Sequence, residues 1–455
     1  MPLPLIAGGL LLVLILGGGG FFVWKNLLGA KSGEADPHMT ILRLAGSNTI
    51  GEELGPALAA AFLKEQGATS IEIISGAKPE EKFVKGVLPG DSAPSFITIA
   101  AHGSATAFTA LAEKTCDIGM ASRQIKPDEA TKLALIGDML SPASEHVVGL
   151  DGIAVIVSPS NLVDKLDKDQ IRGIFTGEIT DWSKVTTFHG AIKIYARNDN
   201  SGTYDTFKTL VLAGKPLAQG AQRIEDSKAL SEAVAVDPYG VGFIGLPYVL
   251  SSKAIAVSDK GIPPLLPTRL TVSTEDYLLS RRLYFYTPAN PANRYTRMFI
   301  EFVISKRGQD VVGNIGFATQ NVAQISETAP DDAPQEYKQL TRGANRLSLD
   351  FRFQSGQTTL DSKGKADLDR VVSMIADENA SGEKVMLFGF SDNADDADVS
   401  QAQSLTRAKA VEAELVQRGL KPTTVRGFGS KLPVAGNDTE DGRDRNRRVE
   451  IWIKK

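Results

Sequence analysis

Between Leu5 and Trp24 the chain carries no charged residue, reading LIAGGLLLVLILGGGGFFVW. A bilayer core is crossed by about 20 apolar residues in a helix. Phe21, Phe22 and Trp24 followed by Lys25 resemble an interfacial end, so residues 4–25 are expected to form a transmembrane anchor. A cleaved signal peptide is the competing reading, against which stand the missing basic n-region and the length of the run. Lys25 and Lys31 follow the span, and the positive-inside tendency would keep them cytoplasmic, which opposes export of the rest. Residues 31–40 read as a polar tether. Beyond them, strand-like stretches such as Ile71–Ile74 and Gly152–Val157 alternate with helix-like ones such as Ala105–Glu113, the pattern of α/β layers. This region runs over 40–324. The following stretch, 325–343, holds prolines and acids with little apolar content and is expected to be a linker.

The last segment, 344–455, has a clear pattern. Leu347, Leu349, Phe351 and Phe353 alternate with Ser348, Asp350 and Arg352, as in a half-buried strand. Leu368, Val371, Val372 and Ile375 recur at helical spacing behind Asp361 or Ser362 as N-cap. Val385–Phe390 reads as a second strand. Leu405, Ala408, Val411 and Leu415 mark a second helix, closed by Gly419. Val449, Ile451 and Ile453 alternate with polar residues in a final strand. The predicted order is β-α-β-α-β-β, one sheet with its helices on one face.

Composition narrows the function. A chain of 455 residues offers roughly three domains' worth of sequence at about 150 residues each. With 42% hydrophobic and 23% charged residues it can build ordinary cores, and a net charge of −4 provides no concentrated basic face for nucleic acid. Cys116 is the single cysteine and the histidines (His38, His102, His146, His189) are scattered, so neither a disulfide nor a zinc site is expected. The acidic run DNADDADVS lacks the spacing and glycine of a calcium loop. No Gly-x-Ser-x-Gly elbow is present. The expectation is a non-catalytic protein without metal or cofactor.

Three segments have the chemistry of an oxyanion cradle, in which backbone amides at helix starts and small hydroxyl residues converge with an arginine. They are Gly46-Ser47-Asn48-Thr49-Ile50, His102-Gly103-Ser104-Ala105-Thr106, and the turn from Arg197 to Ser201-Gly202-Thr203. Each precedes a helix candidate. A single such turn is an ordinary cap; three in one domain point to a site.

Here the chain resembles the phosphate-binding proteins of ABC transporters. The match is ordered: Gly46 to Thr49, Gly103-Ser104, Asp117-Ile118-Gly119, Ser122-Arg123, Asp151 to Val155, IFTGEITDW (Ile174–Trp182), Arg197 with Ser201-Gly202-Thr203, Gly240 to Ile244, and LSRRLYFYT (Leu279–Thr287). The resemblance implies a two-lobed periplasmic-binding-protein fold of type II, with a second lobe over about 150–236 and crossings near Leu150 and Val236. Thr49, the Ile50 amide, Ser104, Arg197, Ser201, Gly202 and Thr203 are the implied oxyanion contacts. Some relatives carry aspartate where Arg123 stands, and that carboxylate accepts the proton of hydrogen phosphate. Arg123 therefore counts as a site candidate, against the alternative of a salt bridge between lobes, and Asp151 as a substitute acceptor.

A second site is suggested by Asp392, after the strand Val385–Phe390, and Arg407 on the following helix. A carboxylate facing a guanidinium suits a ligand with both an ammonium and a carboxylate, or is simply a structural pair. The segment resembles the OmpA-like peptidoglycan-binding domain: Gly389 and Asp392, then Ser404, Arg407 and Ala408, then Gly442-Arg443 through Asn446-Arg447-Arg448-Val449-Glu450-Ile451. It implies an α/β sandwich in which Asp392 meets the ammonium of diaminopimelate in a peptide stem and Arg407 its carboxylate. Ser400 and Gln403 depart from the family pattern. Together the resemblances imply a membrane-anchored protein facing the periplasm of a Gram-negative-type envelope, with phosphate, peptidoglycan, and an ABC permease or sensor as partners. The alternative is a structural tether whose lobes bind a protein.

Overall fold

A computed structural model describes residues 39–199, 201–259, 261–377, 384–392 and 396–454. The anchor expected at 4–25 and most of the tether lie outside them. Among the described residues no helix is long and apolar enough to cross a membrane.

The first lobe is built on β1 (Thr40–Gly46), β2 (Thr69–Ser75), β3 (Glu81–Val87), β4 (Ser95–Ala100) and β5 (Ile118–Ala121). Strand β6 (Glu145–Val157) runs from this lobe into the second, where β7 (Lys193–Ala196) and β8 (Gly240–Gly245) flank it, and β9 (Ser280–Tyr286) brings the chain back. The hydrogen-bonded order is β2-β3-β4-β1-β5-β9-β6-β8-β7. The N-terminal half of β6 pairs with β9, Glu145 opposite Tyr286 and Gly152 opposite Ser280, and its C-terminal half pairs with β8, Val157 opposite Val241. β6 is buried along nearly its whole length, its sequence VVGLDGIAVIV being apolar apart from Asp151, as a strand covered on both faces requires.

The first crossing between lobes runs along β6 near Leu150. The second lies at Ser280, not near Val236: β8 has to slot between β6 and β7, so residues 240–279 stay in the second lobe and the chain returns only along β9. Phe175, Phe207 and Phe243 form the aromatic centre of that lobe, with Phe207 stacked on Phe243 at 4.0 Å.

The C-terminal domain contains β10 (Gln324–Ser326), β11 (Ala344–Arg352), β12 (Val385–Gly389), β13 (Thr424–Gly427) and β14 (Arg448–Lys454), ordered β10-β11-β14-β12-β13. Its helices are α1 (Gln335–Thr341), α2 (Ser362–Asp377), α3 (Ala397–Gln417) and α4 (Glu440–Asn446). Asp361 caps α2, accepting from the Gly364 amide at 2.7 Å. The expected β-α-β-α-β-β order is observed, with the short α4 added before the last strand.

The stretch 325–343 is not a bare linker. β10 pairs with β11, Ser326 opposite Asn345, and α1 drives Tyr337 into Phe388, Phe390, Phe428 and Trp452. The prolines and acids mask a short apolar stripe of Ala333, Tyr337 and Leu340 at helical spacing.

Candidate functional site

In the first lobe, β1 ends at Gly46, whose φ of +135° and whose absent Cβ, which would lie 2.0 Å from the Met120 carbonyl, let the chain turn against β5. That turn presents Thr49. Ser104 opens the helix Ser104–Ala112, and its hydroxyl accepts from the Ser122 amide at 3.0 Å and lies 3.2 Å from the Ser122 hydroxyl. From the second lobe comes the turn at Ser201-Gly202-Thr203, held down by Phe207 one turn further on. Gly202 has to be glycine, since a Cβ would sit 2.2 Å from the Ser122 hydroxyl and 3.2 Å from that of Ser104. The Thr49 and Thr203 hydroxyls are 3.4 Å apart. Thr49, Ser104, Gly202 and Thr203, far apart in sequence, therefore meet between the lobes.

At their centre is Arg281 of β9. One terminal nitrogen donates to Thr49 Oγ1 at 3.1 Å, Thr203 Oγ1 at 3.0 Å and Asp151 Oδ2 at 2.7 Å; the other donates to the Gly202 carbonyl at 2.7 Å and Thr206 Oγ1 at 3.1 Å. Asp151 is fully buried and also accepts from the Leu246 amide at 3.2 Å. Burial pushes its carboxyl up, and Arg281 pulls against that. Asp151 thus orients Arg281 rather than presenting a free acceptor. Arg281 lies within LSRRLYFYT, where the sequence alone does not separate it from its neighbour Arg282.

Arg197 stands at the side of this cluster. Its Nη1 donates to Ser227 Oγ at 2.6 Å, and that hydroxyl donates to Glu52 Oε2 at 2.9 Å, joining the lobes. Burial lowers the Arg197 pKa from its usual value and raises that of Glu52. Ser201 uses its hydroxyl to cap the following helix, accepting from the Thr203 amide at 3.2 Å. The Ile50 side chain packs in the core beside the cluster.

Arg123 is not part of it. Its guanidinium forms a bidentate pair with Glu129 at 2.7 and 2.8 Å, reaches Asp205 of the second lobe at 3.3 Å, and lies over the Phe108 ring. A planar fork matches a carboxylate edge, and Glu129 satisfies it from within the first lobe. Arg123 is a bridge between lobes.

In the C-terminal domain, Gly389 lets β12 touch α3, since a Cβ would lie 2.0 Å from the Ser404 carbonyl. That contact sets Asp392 beside Arg407: Asp392 Oδ1 is 3.8 Å from Arg407 Nη2, and Arg407 Nη1 donates to the Phe390 carbonyl at 3.3 Å. A third residue joins them, Arg447, donating to Asp392 Oδ2 at 2.9 Å. The three line a cleft of about 410 Å³ with Gly356, Gln403 and Thr406. Burial, partly offset by Asp392, lowers the Arg407 pKa. Arg447 belongs to the Asn-Arg-Arg-Val run but was not singled out; its own partners, Glu440 and Asp444 on α4, are close in sequence. Ser400, in place of the family asparagine, bonds the Ser391 hydroxyl at 2.5 Å.

The model of the PBP superfamily domain matches residues 57–307, and that of the OmpA family matches residues 352–447. The Phosphate-binding protein PstS of Staphylococcus aureus strain bovine RF122 / ET3-1 is 29% identical over 228 residues, covering 48% of this chain and 68% of the relative; that of strain USA300 matches equally. Among solved structures, an ABC-type phosphate transport receptor from Vibrio cholerae superposes with a TM-score of 0.48 at 22% identity, covering 61% of this chain and 99% of the other. A putative phosphate ABC transporter substrate-binding protein with bound phosphate from Clostridium perfringens gives 0.47 at 26%, covering 62% and 99%. With a two-lobed fold closed on a cluster of hydroxyls and a matching domain over more than half its length, the chain belongs to the PBP superfamily and carries an OmpA family domain at its C-terminal end.

Proposed function

We propose that the two-lobed domain is a non-catalytic binding module for phosphate or a similar tetrahedral oxyanion, and that the C-terminal domain holds it to peptidoglycan. The observation that carries the reading is the meeting of Thr49, Ser104, Gly202 and Thr203 from both lobes, with Arg281 among them and Arg197 beside them. Neutral donors and buried guanidinium groups suit an oxyanion. The phosphate-binding names of the relatives support phosphate as the first candidate. The cleft of Asp392, Arg407 and Arg447 offers one carboxylate and two cations to a stem peptide bearing an ammonium and a carboxylate.

On this reading the protein faces the periplasm, anchored by residues 4–25 at one end and by the cell wall at the other. A chain held at both ends suits local capture or sensing, next to an ABC permease or a sensor, better than bulk shuttling. Lobe closure about β6 and β9 is the accompanying motion. Calorimetry with phosphate and with sulfate tests it. Arg197→Ala is expected to weaken binding about 10- to 150-fold, from the roughly 1.5–3 kcal/mol of a charge-assisted hydrogen bond. Unchanged heats would remove the oxyanion reading. Binding to purified sacculi is expected to weaken in Asp392→Ala and in Arg407→Ala.

One observation favours a second reading, a structural tether whose lobes contact a protein. The C-terminal domain grips the return strand directly, Arg445 donating to the Tyr277 carbonyl at 2.8 Å and to Ser280 Oγ at 2.9 Å. Absence of heat with every oxyanion, together with retained sacculus binding, would select it.

A further inference from the structure

Beside the hydroxyl cluster a cavity of about 260 Å³ opens between the lobes. Asn48, Glu52 and Glu80 wall it from the first lobe, and Arg197, Glu225 and Asp226 from the second. Its lining adjoins the cluster in sequence: Asn48 precedes Thr49, and Arg197 begins the turn that ends in Ser201-Gly202-Thr203.

Two features set this cavity apart. Arg197 and Asn48 are only 3% and 9% exposed, yet Arg197 Nε and Asn48 Oδ1 have no hydrogen-bond partner among the described residues. A buried polar atom left unpaired is unfavourable unless something completes it. One is a donor and the other an acceptor, so an occupant that completed both would offer an acceptor to Arg197 and a donor to Asn48. The second feature is the sign of the wall. Lys228 pairs with Glu53 and Arg223 with Asp199, none of them lining the cavity; Asp226 caps the Ala229 amide, the Glu52 carboxylate accepts from Ser227, and Lys82 donates to the Glu52 backbone carbonyl. Within the described residues Glu80 and Glu225 have no cationic partner. The residues lining the cavity thus carry four carboxylates and one buried guanidinium. Carboxylates beside an anion-binding cluster suit a ligand that carries a cation next to its anion. Nor do these carboxylates converge as metal ligands do: no metal-holding group is formed among the described residues.

We infer that the cleft binds a phosphate monoester bearing a primary ammonium, its phosphoryl group toward the Thr49–Thr203 hydroxyls and its ammonium in the acidic cavity. The inference rests on the oxyanion reading above and narrows its ligand. Asn48 Oδ1 and the carboxylates would accept from the ammonium, and Arg197 Nε would donate to an ester or phosphoryl oxygen.

The test is calorimetry on the full chain with four probes: inorganic phosphate, ethyl phosphate, 2-aminoethyl phosphate and glycerophosphoethanolamine. 2-Aminoethyl phosphate is expected to bind at least tenfold tighter than ethyl phosphate. The double variant Glu80→Gln/Glu225→Gln is expected to abolish that preference while binding inorganic phosphate as well as, or better than, the parent chain. Both side chains reach solvent and the changes are isosteric, so the fold is retained. Equal binding of the two monoesters, or a preference that survives the double variant, overturns the inference and leaves the oxyanion reading standing. Tighter binding of the diester, which represents a lipid headgroup, also overturns it. Failure of inorganic phosphate and of all esters to bind overturns both.

Discussion

Two regions of this molecule bury arginine, and they do so in opposite ways. Between the lobes, Arg281 is set among hydroxyls with a single carboxylate, Asp151. At the seam between the lobes and the C-terminal domain, charges are crowded. Asp276 pairs with Arg346 at 2.9 Å and with Arg352 at 2.7 Å, Arg346 also pairs with Asp350, and Arg282 bridges Glu275 and Asp361. The same strand supplies both regions. Successive side chains of β9 point to opposite faces, so Arg281 enters the cleft and Arg282 the seam. The Arg281 N–H groups are all engaged, but their hydroxyl partners can rotate to give up those bonds to an anion. At the seam the carboxylates neutralise the guanidinium charges although Arg346 Nε and Arg352 Nε lack hydrogen-bond partners among the described residues, and the work of these pairs is to hold two domains together.

The largest effect should come from breaking the seam. Asp276→Ala strands Arg346 and Arg352, each at most a tenth exposed, without their shared carboxylate. Removing one partner of a buried pair costs about 3–5 kcal/mol, which urea denaturation will register, while oxyanion binding should change little. Acid should do the same work. Burial alone would raise the Asp276 carboxyl, but Arg346, Arg352 and Arg448 outweigh it and hold it well below the usual carboxylate range; Glu275 is held down likewise, chiefly by Arg282 against its burial. Depressed carboxylates contribute stability that is complete above their unfolded pKa, near 4. That stability is lost as pH falls from there through the lower folded values. A stability profile flat across pH 3–5 would contradict the assignment.

Breaking the cleft should separate stability from binding. Arg281→Met alone leaves Asp151 buried and unpaired, at about 3–5 kcal/mol. Adding Asp151→Leu removes the orphaned charge and should recover most of that stability, since an apolar replacement of a whole buried pair is often near neutral. Oxyanion binding should stay weak in the double variant. If binding returned with stability, Arg281 would be a structural residue only.

The regions also differ in how far they could be read from sequence. Thr49, Ser104, Gly202 and Thr203 were legible because each lies in a local turn ahead of a helix, and Asp392 with Arg407 because strand end and helix follow one another in a short motif. The alternation Leu347–Phe353 and the helical stripe Leu368–Ile375 fixed most of the C-terminal domain. Arg281 was not legible. Its role depends on β9 pairing with β6, which brings Asp151 to it across 130 residues, and nothing local distinguishes it from Arg282. The return crossing at Ser280 was missed for the same reason, and the seam because Arg346, Arg352 and Arg445 look like the exposed charges of amphipathic strands and a short helix.

Arg123 is where the comparison can be sharpened most finely, because it has a foot in neither class. It is partly shielded, paired with Glu129 in its own lobe and reaching Asp205 across the cleft, and it does not touch the hydroxyl cluster. If it were an oxyanion ligand, Arg123→Gln would cost affinity on the scale expected for Arg197→Ala. As a bridge, it contributes only when the lobes are together, so its loss should favour separation of the lobes by roughly 1 kcal/mol, the upper range of a partly exposed pair. Closure coupled to binding then passes that amount to the measured affinity, a weakening of about fivefold. The decisive control is Asp205→Asn, which leaves Arg123 and Glu129 in place and removes only the reach across the cleft. It should reproduce most of the Arg123→Gln effect, and the double variant should add little to either. Additive losses would mean that Arg123 touches the anion after all.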